Sequence, residues 1–267
     1  MGNRNSANEA PCDNDFFDSL CSCDTERKPR AYIVKSAASH PFLTAVGSGD
    51  LEHMKLLLLF DSKLPGTVKD ANGNSCAHIA AANGRARELE YVLDLDPSLL
   101  EAVNEFNNTP IHCAAENGDT TVLSLLLARS PQSVLAKGAM GATPTHLAAA
   151  HGRLDAVRFL ADANPSAFTA RDRRGSTAVH YAAVHGRADV LRLACAERPS
   201  AVRDANGAGD TPAHLAASNG MSEALRAILE LDPAAATVCN AAGQRPFDIA
   251  GDNACKQLLL NALHVPS

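Results

Sequence analysis

Thr109-Pro110-Ile111-His112-Cys113-Ala114-Ala115, followed by Glu116-Asn117-Gly118, is the stretch on which the reading turns. It returns as Thr143-Pro144-Thr145-His146-Leu147-Ala148-Ala149 and as Thr211-Pro212-Ala213-His214-Leu215-Ala216-Ala217. Looser copies are Ser75-Cys76-Ala77-His78-Ile79-Ala80-Ala81 and Thr177-Ala178-Val179-His180-Tyr181-Ala182-Ala183. The histidines at 78, 112, 146, 180 and 214 stand 34 residues apart with no slippage. One more step lands on Asp248, inside Arg245-Pro246-Phe247-Asp248-Ile249-Ala250. The chain is an array of one repeated unit.

Elementary chemistry predicts the unit's shape. Thr or Ser before Pro starts a helix, because the hydroxyl caps free amides and Pro has no N–H to leave unsatisfied. The paired alanines keep that helix thin, so a second one can lie close against it. Gly118 and its counterparts Gly84, Gly152, Gly186 and Gly220 end it in a tight turn. A second helix then carries apolar residues eleven, fourteen and fifteen positions after each histidine, from Leu89/Val92/Leu93 to Leu225/Ile228/Leu229. That spacing buries one helical face. Pro97, Pro131, Pro165, Pro199 and Pro233 follow, and each is expected to stop the second helix. A short hairpin leads to the next unit, its clearest turn being Asp70-Ala71-Asn72-Gly73. No single unit can bury its own apolar face, so stacked neighbours must supply the core.

A period near 33 residues that opens on Thr-Pro-Leu-His-x-Ala marks the ankyrin repeat, which this array resembles. The resemblance implies an all-α repeat solenoid of stacked helix–turn–helix units with short hairpin connections. About seven repeats are expected, including degenerate end caps. The first is His40-Pro41-Phe42-Leu43-Thr44-Ala45-Val46, with Met54, Leu57 and Leu58 on its second helix; the seventh occupies residues 239–264. The Pro-marked connection departs from the Gly-Ala-Asp turn more usual in the family. On this reading residues 35–267 are the repeat domain and residues 1–34 a polar, disordered tail.

Composition narrows the function classes. The net charge is −6 and the basic residues form no concentrated face, which argues against nucleic-acid binding. No apolar stretch approaches the ~18–20 residues of a membrane span, and the polar N-terminus is not a secretory signal. Eight cysteines without CxxC spacing suit reduced thiols in a cytoplasmic protein. No catalytic motif, cofactor loop or metal-ligand set is present, so the expected protein is not an enzyme and takes no cofactor or metal. Asn107-Asn108-Thr109 matches a glycosylation triplet, but its Thr is accounted for as a helix cap.

The family resemblance assigns structural roles to His78, His112, His146, His180 and His214, which bond locally and knit adjacent repeats. It also places partner contacts on the concave side, at hairpin tips and at the ends of first helices. The tips map to Ala71/Asn72, Glu105/Phe106, Ala139/Met140, Arg173/Arg174 and Gly207/Ala208. The helix-end positions map to Ala82/Asn83, Glu116/Asn117, Ala150/His151, Val184/His185 and Ser218/Asn219. Phe106, Met140, Arg173 and Arg174 are poor choices for bare turns and good ones for anchoring a partner, unless they fold back on neighbouring hairpins. With His151, His185, Glu116 and Asn117 they form the candidate protein-binding strip. His151 and His185, one repeat apart, are separated by about 10 Å and cannot chelate one ion directly.

The chain opens Met1-Gly2-x-x-x-Ser6, the form of an N-myristoylation signal on Gly2. One acyl chain binds membranes only marginally, so a second signal is required. Cys12, Cys21 and Cys23 lie close by and are candidates for palmitoylation; a Cys21-x-Cys23 metal site lacks its remaining ligands. The expected protein is a monomeric adaptor or scaffold, tethered on the cytosolic side of a membrane. The alternative is a regulatory or targeting subunit of a ligase, phosphatase or kinase complex whose catalytic part is another chain.

Overall fold

A computed structural model of the chain describes residues 40–263. Among them are fourteen α-helices and no β-strand. The first unit pairs α1 (Pro41–Ser48) with α2 (Leu51–Phe60), followed by the single turn α3 (Leu64–Thr67). Five regular pairs follow: α4 (Cys76–Ala82) with α5 (Ala86–Leu95), α6 (Pro110–Asn117) with α7 (Thr120–Arg129), and α8 (Pro144–Ala150) with α9 (Leu154–Ala163). The fourth and fifth regular pairs are α10 (Ala178–Val184) with α11 (Ala188–Glu197), and α12 (Pro212–Ser218) with α13 (Ser222–Leu231). A last helix, α14 (Asn253–Leu263), packs on α13. First helices stack on first helices and second on second, so every unit touches its sequence neighbours.

Small side chains permit that stacking. Ala80 and Ala81, Ala114 and Ala115, Ala148 and Ala149, Ala182 and Ala183, and Ala216 and Ala217 are fully buried. A methyl group is all that fits where three helices converge, and larger groups would push the units apart. The second helices supply the bulk: Leu89, Val92, Leu93, Leu123, Leu126, Val157, Leu160, Leu225 and Ile228 are fully buried, as the apolar periodicity predicts.

One local expectation is extended and two change. Each second helix ends just before its proline, as expected, and the proline then opens a short 3₁₀ turn, at Pro97–Leu100, Pro131–Leu135, Pro165–Phe168, Pro199–Arg203 and Pro233–Thr237. Their preset φ and missing N–H suit a first helical position, and each turn tucks a side chain such as Leu99, Val134 or Val202 under the array. The connecting hairpins are turns rather than paired strands; one isolated bridge, Lys69 with Ser75, is the β-pairing among the described residues. The last repeat has no regular first helix: Asp248 sits in a turn and takes the N–H of Arg245 at 2.9 Å.

In each of the five regular repeats one histidine fastens the unit to the next. In α6, Thr109 N–H donates to His112 Nδ1 at 3.2 Å, and the Thr109 hydroxyl lies 2.9 Å from the same nitrogen. The hydroxyl thus bonds the imidazole, closing a capping box in which histidine takes the place usual for Glu or Gln. The opposite nitrogen, Nε2, is 3.2 Å from the carbonyl oxygen of Ala142, thirty residues ahead in the next connection. The same pair of bonds recurs at His78 to Asn108, His146 to Ser176, His180 to Asp210 and His214 to Gln244, at 2.8 to 3.2 Å. With Nδ1 accepting and Nε2 donating, each ring is a neutral imidazole. Burial presses the His112 and His180 pKa down to about 4 and lowers those of His78 and His146.

Two outcomes follow for stability. Unfolded histidine titrates near 6.5, so between that pH and about 4 the unfolded chain binds protons that buried His112 and His180 refuse. Their contribution is complete above pH 6.5 and falls as acid is added, so the urea midpoint should drop steadily across that window; a flat profile would contradict it. Leu126→Ala should cost ~2–5 kcal/mol by leaving a cavity between repeats. Amide exchange should quicken most in the adjoining units, since contacts are nearest-neighbour; uniform loosening along the array would refute the picture.

Candidate functional site

The candidate residues fall into two rows rather than one strip. Phe106, Met140, Arg173 and Arg174 lie in turns that precede first helices; Glu116, Asn117, His151 and His185 lie where first helices end. The seven residues of α8 separate Met140 from His151, about 10 Å at 1.5 Å per residue.

The turns are built alike, with one exception. An Asp or Asn at their first position accepts two backbone N–H groups, as Asp172 Oδ1 does from Arg174 and Ser176 at 2.9 and 2.8 Å. Successive tips join by backbone bonds: Glu105 N–H to Asn72 O at 3.1 Å, Arg173 N–H to Met140 O at 2.9 Å, and Gly207 N–H to Arg174 O at 2.7 Å. Between Phe106 and Ala139 this link is replaced. Ala139 N–H donates instead to the side chain of Asn108 at 3.1 Å, which approaches through the space that Gly138, lacking a side chain, leaves open. Only glycine fits at 138: a Cβ there would collide with Asn108 Oδ1 and come 2.9 Å from His112 Nε2. Asn107 and Met140 adopt positive φ, 60° and 51°, beside this break. Such backbone is strained for Met and tolerated by Asn. Phe106 stands next to it with 49% of its surface exposed, so it does not fold back onto a neighbouring turn.

The helix-end row is held by arginines. Arg153 Nε donates to Glu116 O at 2.9 Å, Arg187 Nε to Ala150 O at 2.9 Å, and Arg85 Nε to Gly47 O at 3.1 Å. Each guanidinium thereby caps the negative end of the preceding repeat's first helix. The chain turns here through glycines with positive φ, 91° at Gly118 and 67° at Gly152, and the arginine stems lie across them. His151 Nδ1 faces Leu147 O at 3.0 Å, and its Nε2 lies 3.5 Å from Glu116 Oε1. Burial lifts the Glu116 carboxyl, while His151 and Arg153 pull it back. Burial, then the charges of His151 and Arg187, press His185 down to about 4.

These arginines were not among the residues singled out from the sequence. The available signal was positional: Arg85, Arg153 and Arg187 each stand seven places after a repeat histidine, directly behind a glycine. What they bond to is a carbonyl of the preceding repeat, which spacing alone does not reveal. Gly2, Cys12, Cys21 and Cys23 lie outside the described residues, as does the whole 1–34 segment. Among the described residues no three His, Cys, Asp or Glu side chains gather to hold a metal ion, and no helix is long and apolar enough to cross a membrane.

The family described as "Ankyrin repeats (3 copies)" matches residues 42–137, 96–168, 129–202 and 145–238, overlapping spans that cover well over half of the chain. Comparison with curated protein sequences returns no match. Among solved structures, the human ASB11 ankyrin repeat domain superposes with a TM-score of 0.68 at 21% identity, over 85% of this chain and 100% of that one. The ankyrin repeat domain of Bcl-3, described as a unique member of the IkappaB protein family, superposes at 0.63 and 19% identity, over 84% of this chain and 100% of that one. Repeat period, histidine links and stacked helix pairs agree with these matches: the chain belongs to the ankyrin-repeat family, whose fold is a protein–protein interaction domain.

Proposed function

We propose that this chain is a non-catalytic adaptor or scaffold that holds a protein partner across its third to fifth repeats, on the side formed by the turns and first helices. The observation that carries the reading is the exposed Phe106 beside the break in the tip ladder, with Met140, Arg173 and Arg174 on the tips that follow. A large aromatic held half out of a turn gains little for folding and much for a partner that covers it. The arginines on the next tip supply directional polar contacts around that anchor.

A membrane tether belongs to the same proposal. Gly2 and Ser6 fit an acylation signal, and Cys12, Cys21 and Cys23 are available for a second lipid. Helix α2 supports it from the folded side: Leu56, Leu59 and Phe60 are 56%, 81% and 89% exposed on the first repeat. Apolar side chains of this kind add to the marginal grip of one acyl chain.

Phe106→Ala combined with Arg173→Ala should weaken partner binding by ~2 kcal/mol or more while leaving the melting temperature nearly unchanged. Normal binding by the double variant would remove this surface from consideration. Co-purification of a catalytic chain would identify the adaptor as an enzyme-complex subunit. For the tether, Gly2→Ala should move the protein from the membrane fraction to the supernatant, and Leu59→Ser with Phe60→Ser should shift it partly. Equal partitioning of wild type and Gly2→Ala would dismiss the anchor.

A further inference from the structure

The third and fourth hairpin tips, at Ala139/Met140 and Arg173/Arg174, carry a charge opposite in sign to that of the whole chain. The net charge is −6, yet residues 136–143 and 169–177 hold Lys137, Arg171, Arg173 and Arg174 against one acid, Asp172. The two tips are fastened side by side. Arg173 N–H donates to Met140 O at 2.9 Å, and its stem crosses the preceding tip, where a Cβ on Gly141 would lie 3.3 Å from its Cγ. A terminal nitrogen of Arg171 bonds the Gly175 and Ala205 carbonyls, which carries the row toward the fifth tip. Lys137, Arg171 and Arg173 are exposed.

The acids of the surrounding turns are committed elsewhere. Asp172 is buried, its carboxylate taken up by the N–H groups of Arg174 and Ser176 and by the Tyr181 hydroxyl at 3.0 Å. Asp210 receives the Asn240 side chain at 2.8 Å, and Asp204 is paired with Arg198. On the second tip Glu105 leans the other way, its Cγ 3.1 Å from where a Cβ on Gly73 would be. Lys137 and Arg173 form no ion pair among the described residues.

Positive charge gathered on adjoining tips favours an acidic partner and disfavours a basic one. The Arg173 guanidinium can grip a carboxylate with two parallel bonds, and its stem is already held. One tip earlier stands the half-exposed ring of Phe106. Tips spaced by about 10 Å correspond to about three residues of extended chain each. A nucleic acid would need a longer basic track, and the charge of the rest of the chain would repel it.

We propose that the third and fourth tips take an acidic segment of the partner protein, its Asp or Glu side chains on Lys137, Arg171 and Arg173 and an apolar residue on Phe106. This rests on the adaptor reading and adds the chemistry of what is held.

Random peptides displayed on phage and selected against the full chain should be enriched in Asp or Glu about three to six residues from an apolar side chain. A synthetic peptide from that pool should lose about tenfold in affinity against Arg173→Gln, the size of one charge-assisted bond, and should weaken as salt is raised. Lys137→Glu with Arg173→Glu should invert the preference, so that the peptide with its acids replaced by lysine binds the variant and not the wild type. If the double variant melts early, Arg173→Gln and the lysine peptide against wild type still decide. Selected peptides without acids, or equal binding of the acidic and lysine peptides by wild type, would overturn the proposal. Should such peptides still depend on Phe106, the adaptor reading stands; should none be weakened by Phe106→Ala, that reading fails too. An oligothymidylate that binds wild type as tightly as the acidic peptide, and is lost with Arg173→Gln, would assign the surface to nucleic acid instead.

Discussion

Each of the five regular repeats depends on one imidazole that stays neutral in a dry interior. His112 accepts the N–H and hydroxyl of its own helix cap through Nδ1 and offers Nε2–H to a carbonyl in the following turn. A protonated ring would have two donors and no acceptor, and the cap N–H would face a like-oriented dipole. Neither the cap nor the distant carbonyl can then be left unsatisfied without the cost of a buried polar group. The ring thus ties the start of one unit to the entrance of the next. Stability spreads along the array through such nearest-neighbour bonds, with no single core to collect it.

The same economy explains the rest of the packing. Paired alanines let first helices close on one another, and the leucines and valines of the second helices fill the wider outer layer. Prolines set the 3₁₀ turns that lead from the outer layer back to the inner one. Arginine stems crossing glycines bring guanidinium groups to the carbonyl ends of neighbouring helices, where the helix dipole favours positive charge. These features repeat, and repetition alone confers no specificity.

On the proposed adaptor reading, specificity lies where the repeat is broken. Gly138 replaces an Asp or Asn and lets the Asn108 side chain take the Ala139 N–H, which at other tips goes to a carbonyl of the preceding tip; the ladder is interrupted there, beside an exposed Phe106. At the helix ends Glu116 is the exception, since Ala82, Ala150, Val184 and Ser218 fill the equivalent positions, and its carboxylate lies 3.5 Å from His151. Both deviations lie in the third to fifth repeats, on the side formed by turns and first helices. An ankyrin array can change its partner preference by such single substitutions because each affects one unit and its immediate neighbours.

By itself the sequence determined the period, the helix starts at Thr-Pro, the alanine-thin first helices and the apolar face of the second, because these follow from local propensity and spacing. It also marked Phe106, Met140, Arg173 and Arg174 as poor choices for plain turns. Only the tertiary structure decided what those positions touch. That Nε2 of each histidine reaches a carbonyl thirty residues ahead, that Pro97 and its counterparts begin turns, and that Asp248 closes on Arg245 without a helix all depend on what neighbouring units bring within reach. The division of the candidate strip into two rows has the same cause: residues close in sequence stand at opposite ends of a helix, while Glu116 and His151, from different repeats, meet across the boundary between them.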